Sequence, residues 1–431
     1  MLAMEENVSK YTNAIGSGKQ AITQGQKRKG GRGMREGWEY KKLGEVASSE
    51  LGKTLNKSKD TGKLYPYICA VNVLWDMIDL TILKHAFFEK EEIDRYSVRK
   101  GDLLVCEGGD TGRSAIWEKE EPVLYQNAIH RVRFTTEMEA RFAMYCLWHL
   151  KNNGQIDQKY SKGVTIKHLV KSSLLSIELP VPPLSTQHTI VSELDKINEL
   201  IRLKKEQLKD YDNLAQSIFY EMFGDPVVNE RGWEVKKLGE LSDLICNGNT
   251  PKGGSEVYVD TGFLFLRSQN VWKNRIELDD VAFIDEATHK SLKKSSLKHN
   301  DLLITKTGRI NTENSSLGRT ALFEGEDNSA NINGHVYLVR LKDGMVHKFV
   351  LYILISNSYR ELIRKTCVGG IDKRQLNKDH IEDFPIIFPP IELQKKYVER
   401  IELIEKQKEQ VRSTIQDLDT LLASRMQYWF D

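Results

Sequence analysis

The sequence predicts an α+β protein. Two repeated mixed α/β domains are joined by two long helices that pair as an antiparallel coiled coil. Three observations predict this. Gly37-Trp38-Glu39-Tyr40-Lys41-Lys42-Leu43-Gly44-Glu45 returns as Gly232-Trp233-Glu234-Val235-Lys236-Lys237-Leu238-Gly239-Glu240, eight of nine residues identical at an offset of 195. Further landmarks recur in the same order. Asp102-Leu103-Leu104-Val105 matches Asp301-Leu302-Leu303-Ile304, Gly112-Arg113-Ser114-Ala115-Ile116 matches Gly318-Arg319-Thr320-Ala321-Leu322, and Pro182-Pro183-Leu184 matches Pro389-Pro390-Ile391. A stretch of heptad spacing then closes each copy. What the copies share is expected to be scaffold, and what differs is expected to be function.

Residues 1–36 read as a flexible basic tail. Gly, Ser, Gln and Lys dominate them, seven basic residues face three acidic ones, and Lys27-Arg28-Lys29-Gly30-Gly31-Arg32 has no apolar partner. The first domain is expected over 37–184, the first long helix over 185–225, the second domain over 226–391 and the second long helix over 392–431. Each domain opens with short β-rich segments (Tyr65–Val73, Asp102–Cys106 and Ala128–Phe134; Phe263–Val271, Asp301–Lys306 and His335–Leu341). A helix follows, near 137–152 or 345–366, and then a Pro-rich strand-like stretch. The offset grows from 199 at the Asp-Leu-Leu strand to 206 at the Gly-Arg pair, so seven extra residues lie between these landmarks in the second copy. Insertions of this kind concentrate in loops.

Apolar residues of the first long helix fall at Ile190, Leu194, Ile197, Ile201, Leu208, Tyr211, Ala215, Ile218 and Met222, with one break at Lys204. Adding 207 gives Tyr397, Ile401, Ile404, Lys408, Val411, Ile415, Leu418, Leu422, Arg425 and Trp429. Spacing of 4 and 3 sustained this long, with charged flanks, marks a coiled coil. A seam so narrow needs a partner, and the other long helix is the expected one.

Composition excludes several classes. Apolar content of 40% and charged content of 29% describe a globular chain. No apolar run approaches ~18 residues, so no membrane segment is expected, and no h-region marks a signal peptide. The five cysteines lie far apart and form no CxxC, which points to reduced thiols in the cytoplasm and away from a zinc site. There is no GxxxxGK[ST], no GxGxxG after a strand and no HExxH. Gly108-Gly109-Asp110-Thr111-Gly112 lacks a following Lys-Ser/Thr and reads as a turn. No catalytic set, metal site or bound cofactor is expected in this chain.

Two polar stretches per copy differ within matched frames. The first is Gly52–Lys59 against Asn247–Gly254, and the second is Glu107–Arg113 against Lys306–Arg319. Asn, Gln, Arg and Lys bond base edges in the major groove, and basic residues at loop-to-helix junctions suit phosphate. The candidates for DNA contact are Lys53, Lys57, Arg113, Gln126, Asn127, Lys162 and Lys167 in the first copy. In the second they are Lys252, Arg267, Gln269, Asn270, Lys306, Arg309, Arg319, Asn331, Asn333, Lys373 and Arg374. Trp38 and Trp233 occupy identical contexts and read as core anchors.

The order of these motifs, given twice, resembles the specificity subunit of type I restriction–modification systems over about residues 37–431. The GWExKKLGE opening, the Asp-Leu-Leu strand with its later Gly-Arg, the Pro-Pro-Leu/Ile-x-x-Gln start of each long helix and Phe219–Asp225 carry the resemblance. It implies two target-recognition domains, each reading half of a split double-stranded DNA target, and a coiled coil that spaces them and docks two copies of a methylation subunit. A restriction motor subunit joins in restricting systems, and S-adenosylmethionine, ATP and Mg2+ belong to those partners. Readers about one helical turn apart (roughly 34–36 Å) can enter successive major grooves. Because the reader loops differ, the target is expected to be asymmetric. The competing readings are a single-chain restriction enzyme, for which the length leaves no room, and a coiled-coil adaptor with two protein-binding heads.

Overall fold

The computed structural model describes residues 38–55, 62–163, 167–312 and 314–431. The tail expected over 1–36, Gly37 and the candidate Lys57 lie outside the described residues. The described residues form two compact units, one of those up to Ile201 with Asp417–Asp431, the other of those in Arg202–Gln416. Each unit holds one globular head and one half of each long helix.

In the first unit, Ala47–Leu51, Ile129–Phe134, Leu103–Cys106 and Ser114–Ile116 form an antiparallel sheet in that order. A second sheet runs Lys84–Phe88, Lys63–Ile68, Val123–Tyr125, Ser97–Val98, with the middle pair parallel. The second unit repeats the first sheet as Ser242–Asn247, Val336–Leu341, Leu302–Thr305 and Thr320–Leu322. It also repeats the parallel pair, as Phe263–Leu266 beside Ala330–Ile332. The expected single helix near 345–366 is two, His347–Leu354 and Asn357–Thr366, because Ser356 caps the second through its hydroxyl.

The duplicated motifs are now explained as scaffold. In the opening motif, Glu39–Lys42 pairs with Glu178–Val181, and Val235–Lys237 pairs with Pro385–Ile387, so each head's first strand is tied to its last. Leu43 and Leu238 are fully buried behind these pairs. Glu45 accepts the Lys42 N–H at 2.5 Å, and Glu240 accepts that of Lys237 at 3.1 Å. Gly44 and Gly239 have no room for a side chain to spare: a Cβ there would meet Leu175 at 3.3 Å or the Glu382 carbonyl at 3.2 Å. The aspartate of the Asp-Leu-Leu strand is buried in both copies. Asp102 takes a two-pronged bond from Arg133 at 2.6 and 2.9 Å, and Asp301 takes one from Arg340 at 2.9 and 2.7 Å. The glutamine after the proline pair is also buried, its amide donating at 2.8 Å to Pro182 O through Gln187 and to Pro389 O through Gln394.

The long helices run Leu184–Phe223 and Ile391–Phe430. In the second unit Asp212 meets Lys408 at 2.8 Å, while Phe219 packs on Tyr397 with ring centroids 5.4 Å apart, so partner numbers fall as the chain advances. The first unit agrees, Glu193 accepting from Arg425 and Trp429. The helices are antiparallel. Their seam departs from strict heptads at one place in each. Phe219 and Phe223 are buried where Ile218 and Met222 are only partly so. At the matching positions of the second helix, Met426 is buried rather than Arg425. The spacing there is 4-4, which turns the apolar stripe toward each unit's core. Lys408, the apparent break, is buried and held by Asp212 at 2.8 Å and Glu405 at 3.1 Å.

Each head also grips its adjoining helix through a polar lock at a left-handed residue, Asp76 (φ 55°) or Asn274 (φ 59°). Asn198 and Arg141 both donate to one Asp76 oxygen, at 2.6 and 2.9 Å. Asn274 in turn donates to Glu405 at 3.0 Å. Amide and acid have exchanged places between the copies. Asp76 shares Arg141 with Asp195 and Glu118, and burial pushes its carboxyl up to about 6 from the ordinary 3.8. The folded chain therefore binds this proton more tightly than the unfolded chain. The stability it contributes is present below the ordinary value and is lost as pH rises through about 6. Asp76→Asn keeps an acceptor for both donors and removes the charge. It should stabilise the first unit by about 1–3 kcal/mol at neutral pH, with the gain fading toward pH ~4. Denaturant midpoints at the two pH values check this, and a less stable variant at neutral pH contradicts it.

Candidate nucleic-acid interface

In each head the second variable stretch is tied to the loop-to-helix junction through equivalent backbone bonds, the two making up its rim. Glu107 N–H donates to Ala128 O at 2.9 Å, and Leu169 N–H donates to Glu107 O at 2.7 Å. In the second head, Lys306 N–H donates to His335 O at 2.8 Å, and Leu376 N–H to Lys306 O at 2.9 Å. The same two carbonyl-to-amide links thus hold a glutamate in one rim and a lysine in the other. Behind each rim a buried ring from the central strand holds the junction. His130 Nε2 lies 2.8 Å from Leu169 O, and the Tyr337 hydroxyl donates to Leu376 O at 3.3 Å. Burial lowers the His130 pKa by disfavouring the charged ring.

The first rim closes where Asn127 N–H donates to Lys53 O at 2.9 Å and Gln126 N–H to Ile68 O at 3.0 Å. The side chains of Gln126 and Asn127 make no hydrogen bond among the described residues and remain available to a ligand. Lys162, Lys252 and Lys373 are exposed and pair with no carboxylate among the described residues. Lys167 is exposed and donates to Asp157 O at 3.0 Å. Lys306 lies over the Tyr337 ring at 5.8 Å, and Asn333 accepts the His335 N–H at 3.0 Å, shaping its turn. The seven-residue insertion of the second copy supplies a strand, Thr307–Arg309. It places Arg309 opposite Lys373, with Arg374 next to it.

Six candidates are occupied by the scaffold. Lys53 donates to Phe87 O at 2.9 Å and pairs with Glu92. Arg113 donates to Ala70 O at 2.9 Å, and Arg319 donates to Ser315 O at 3.0 Å while lying 3.8 Å over the Trp272 ring. Arg267 is bound to Asp280 at 3.2 Å. Asn331 is fully buried and bonds His289 and Leu292 O. Asn270 is buried, accepts the Arg267 N–H at 2.9 Å and donates to Glu277 O at 3.0 Å and Asp280 O at 3.1 Å. Asn72 does the same in the first head, from the Cys69 N–H to Asp79 O and Ile82 O. An asparagine in a polar stretch does not announce whether it faces out. Its recurrence at the same point of both copies was the signal that these two staple a turn. Gln269, next to Asn270, is exposed and leans on Asp280. Asn270→Ala should cost about 1–2 kcal/mol, since it removes three bonds that staple the turn to partly buried backbone groups. It should leave sequence preference unchanged, as checked by denaturation and binding on one preparation. Altered preference would return Asn270 to the reading set.

Among the described residues no cluster of His, Cys, Asp or Glu could hold a metal ion, and no helix is long and apolar enough to cross a membrane. All five cysteines are free thiols.

Fold and rims together define a class of protein: a duplicated chain with two variable heads, each built on half of a shared antiparallel helix pair. The chain belongs to the family described as the type I restriction modification DNA specificity domain, which matches residues 35–210 and again 230–417. It is 23% identical over 410 residues to the type I restriction enzyme MjaVIII specificity subunit of Methanocaldococcus jannaschii, covering 90% of this chain and 92% of that relative. It is 24% identical over 385 residues to the MjaIX specificity subunit of the same organism, covering 84% and 85%. A solved chain, described under complex assembly and conformational transition of the type I R-M system, shares the fold. Its TM-score is 0.52 at 19% identity, over 92% of this chain and 98% of that one.

Proposed function

We propose that this chain is the DNA-recognition subunit of a type I restriction–modification complex. Each head reads one half of a bipartite, asymmetric target. The chain is itself non-catalytic. It directs two copies of a methylation subunit, which bring S-adenosylmethionine. In restricting systems it also directs a motor subunit using ATP and Mg2+. The setting is the cytoplasm. The observation that carries this reading is the contrast within the duplication: the scaffold bonds recur at equivalent positions, while the rims differ in charge, length and side chains. The rim contacts proposed are Gln126, Asn127, Lys162 and Lys167 in the first head, and Lys252, Gln269, Lys306, Arg309, Asn333, Lys373 and Arg374 in the second.

Mapping methylated bases in host genomic DNA with and without this gene tests it. A split, non-palindromic motif that disappears with the gene is expected; an unchanged methylation pattern rejects the reading. The purified chain with its methylation subunits should also lose duplex affinity steeply as salt rises, because each phosphate contact releases counterions. Salt-insensitive binding to a protein would instead favour an adaptor with two protein-binding heads.

A further inference from the structure

A strand found only in the second head among the described residues supports a short hairpin. Val368–Gly369 and Lys373–Gln375 pair with each other, and Thr307–Arg309 extends them. At the hairpin's tip Ile371 is 91% exposed, the highest value among the exposed large hydrophobics of the described residues. Leaving an isoleucine in water forgoes the favourable burial of its side chain.

The tip is braced rather than loose. Gly370 N–H donates to Lys373 O at 3.1 Å, Ile310 N–H donates to Asp372 O at 3.0 Å, and Arg374 Nε donates to Gly370 O at 3.2 Å. Gly369 sits at φ 139°, and a Cβ there would lie 2.8 Å from Lys373 O, so the turn needs glycine. Cations flank the apolar tip. Arg309, whose side chain is 69% exposed, lies 3.4 Å from Asp372, and Lys373 is exposed and unpaired among the described residues. A rigid apolar point between cations matches a groove in duplex DNA, which has phosphate on both walls and one apolar group on its floor. That group is the C5-methyl of thymine, exposed in the major groove. Bracing removes the ordering cost that a mobile loop would incur on binding.

We propose that the Gly369–Lys373 turn enters the major groove of the second half-site, with Ile371 packed on a thymine methyl and Arg309 and Lys373 on the flanking phosphates. This rests on the DNA-recognition reading above, and the experiment separates the two. The full chain with its methylation subunits is titrated with duplexes carrying the mapped target. No preference for target over scrambled duplex means that the recognition reading itself has failed. Given that preference, thymines of both half-sites are replaced one at a time by uracil, which lacks only the methyl group. One position should weaken wild-type binding about three- to tenfold. Ile371→Ser should weaken binding to the unmodified target by a similar factor and be indifferent to uracil at that position, since the two changes remove the same contact. Ile371 is exposed, so the thermal transition of the variant should match wild type. The proposal is overturned if no thymine is sensitive, if the sensitivity persists in Ile371→Ser, or if the sensitive thymine lies in the first half-site.

Discussion

Phe219→Ala should cost the second unit about 3–5 kcal/mol, while Ile218→Ala, one residue earlier, should cost well under half of that. Strict heptads give the opposite order, because Ile218 occupies the seam position and Phe219 lies beside it. The structure reverses them. Phe219 is 2% exposed. Its ring lies 5.1 Å from Phe223, 5.8 Å from Phe349 and 5.4 Å from Tyr397. Deleting a ring from such a cluster loses its transfer free energy and leaves a cavity that its aromatic neighbours cannot close. Ile218 is only partly buried at the edge of the same cluster. Denaturant unfolding of the full chain measures both. The loss should appear in the transition of the second unit, since every ring named lies within Arg202–Gln416. Equal costs for the two variants, or a larger one for Ile218→Ala, would restore the heptad register.

This comparison also locates the limit of the sequence. Periodicity marks the existence and length of a helix because the apolar stripe needs only approximate spacing. The shift to 4-4 spacing at Phe219 and Phe223 is invisible without the core that receives it, since Ile218 and Met222 serve the heptad equally well on paper. The repeated motifs were legible as scaffold, but their mechanics were not. Nothing in the sequence pairs Asp102, just before the strand Leu103–Cys106, with Arg133 on the neighbouring strand. The variable stretches stand out in the sequence as a group, and the described residues of the second stretch in each head meet the loop-to-helix junction. Individual residues within them do not stand out. Arg113 and Arg319 have the chemistry for phosphate, yet the carbonyls of Ala70 and Ser315 already hold them. Side-chain type states what a residue can bond; only the fold states what it is already bonded to.

Exchanging residues 46–178 for the matching segment of another specificity subunit should replace one half of the methylated motif and leave the other half intact. The expected change in preference is large, because specific and non-specific duplexes typically differ in affinity by a factor of about 10³ or more. The junctions favour the exchange. The segment begins and ends beside the antiparallel pair Glu39–Lys42 and Glu178–Val181, where Lys42 faces Glu178 and Leu43 N–H donates to Ile177 O at 2.8 Å. The two cut points are therefore neighbours, and the incoming head closes on Glu39–Lys42 and Leu179–Val181, which remain in place. Among the graft's contacts with the long helices is the Asp76 lock, whose donors are Arg141 inside the exchanged segment and Asn198 outside it. A donor head with asparagine at the Asp76 position, as Asn274 stands in the second copy, leaves Asn198 with an acceptor and adds no buried charge. A donor head with an apolar residue there strands the Asn198 amide and should fold less stably by about 1–3 kcal/mol without altering the motif it reads. Methylation mapping of the host genome gives the first result and denaturation the second. If both halves of the motif change, the heads do not read independently, and the duplication would then describe ancestry without dividing the labour of recognition.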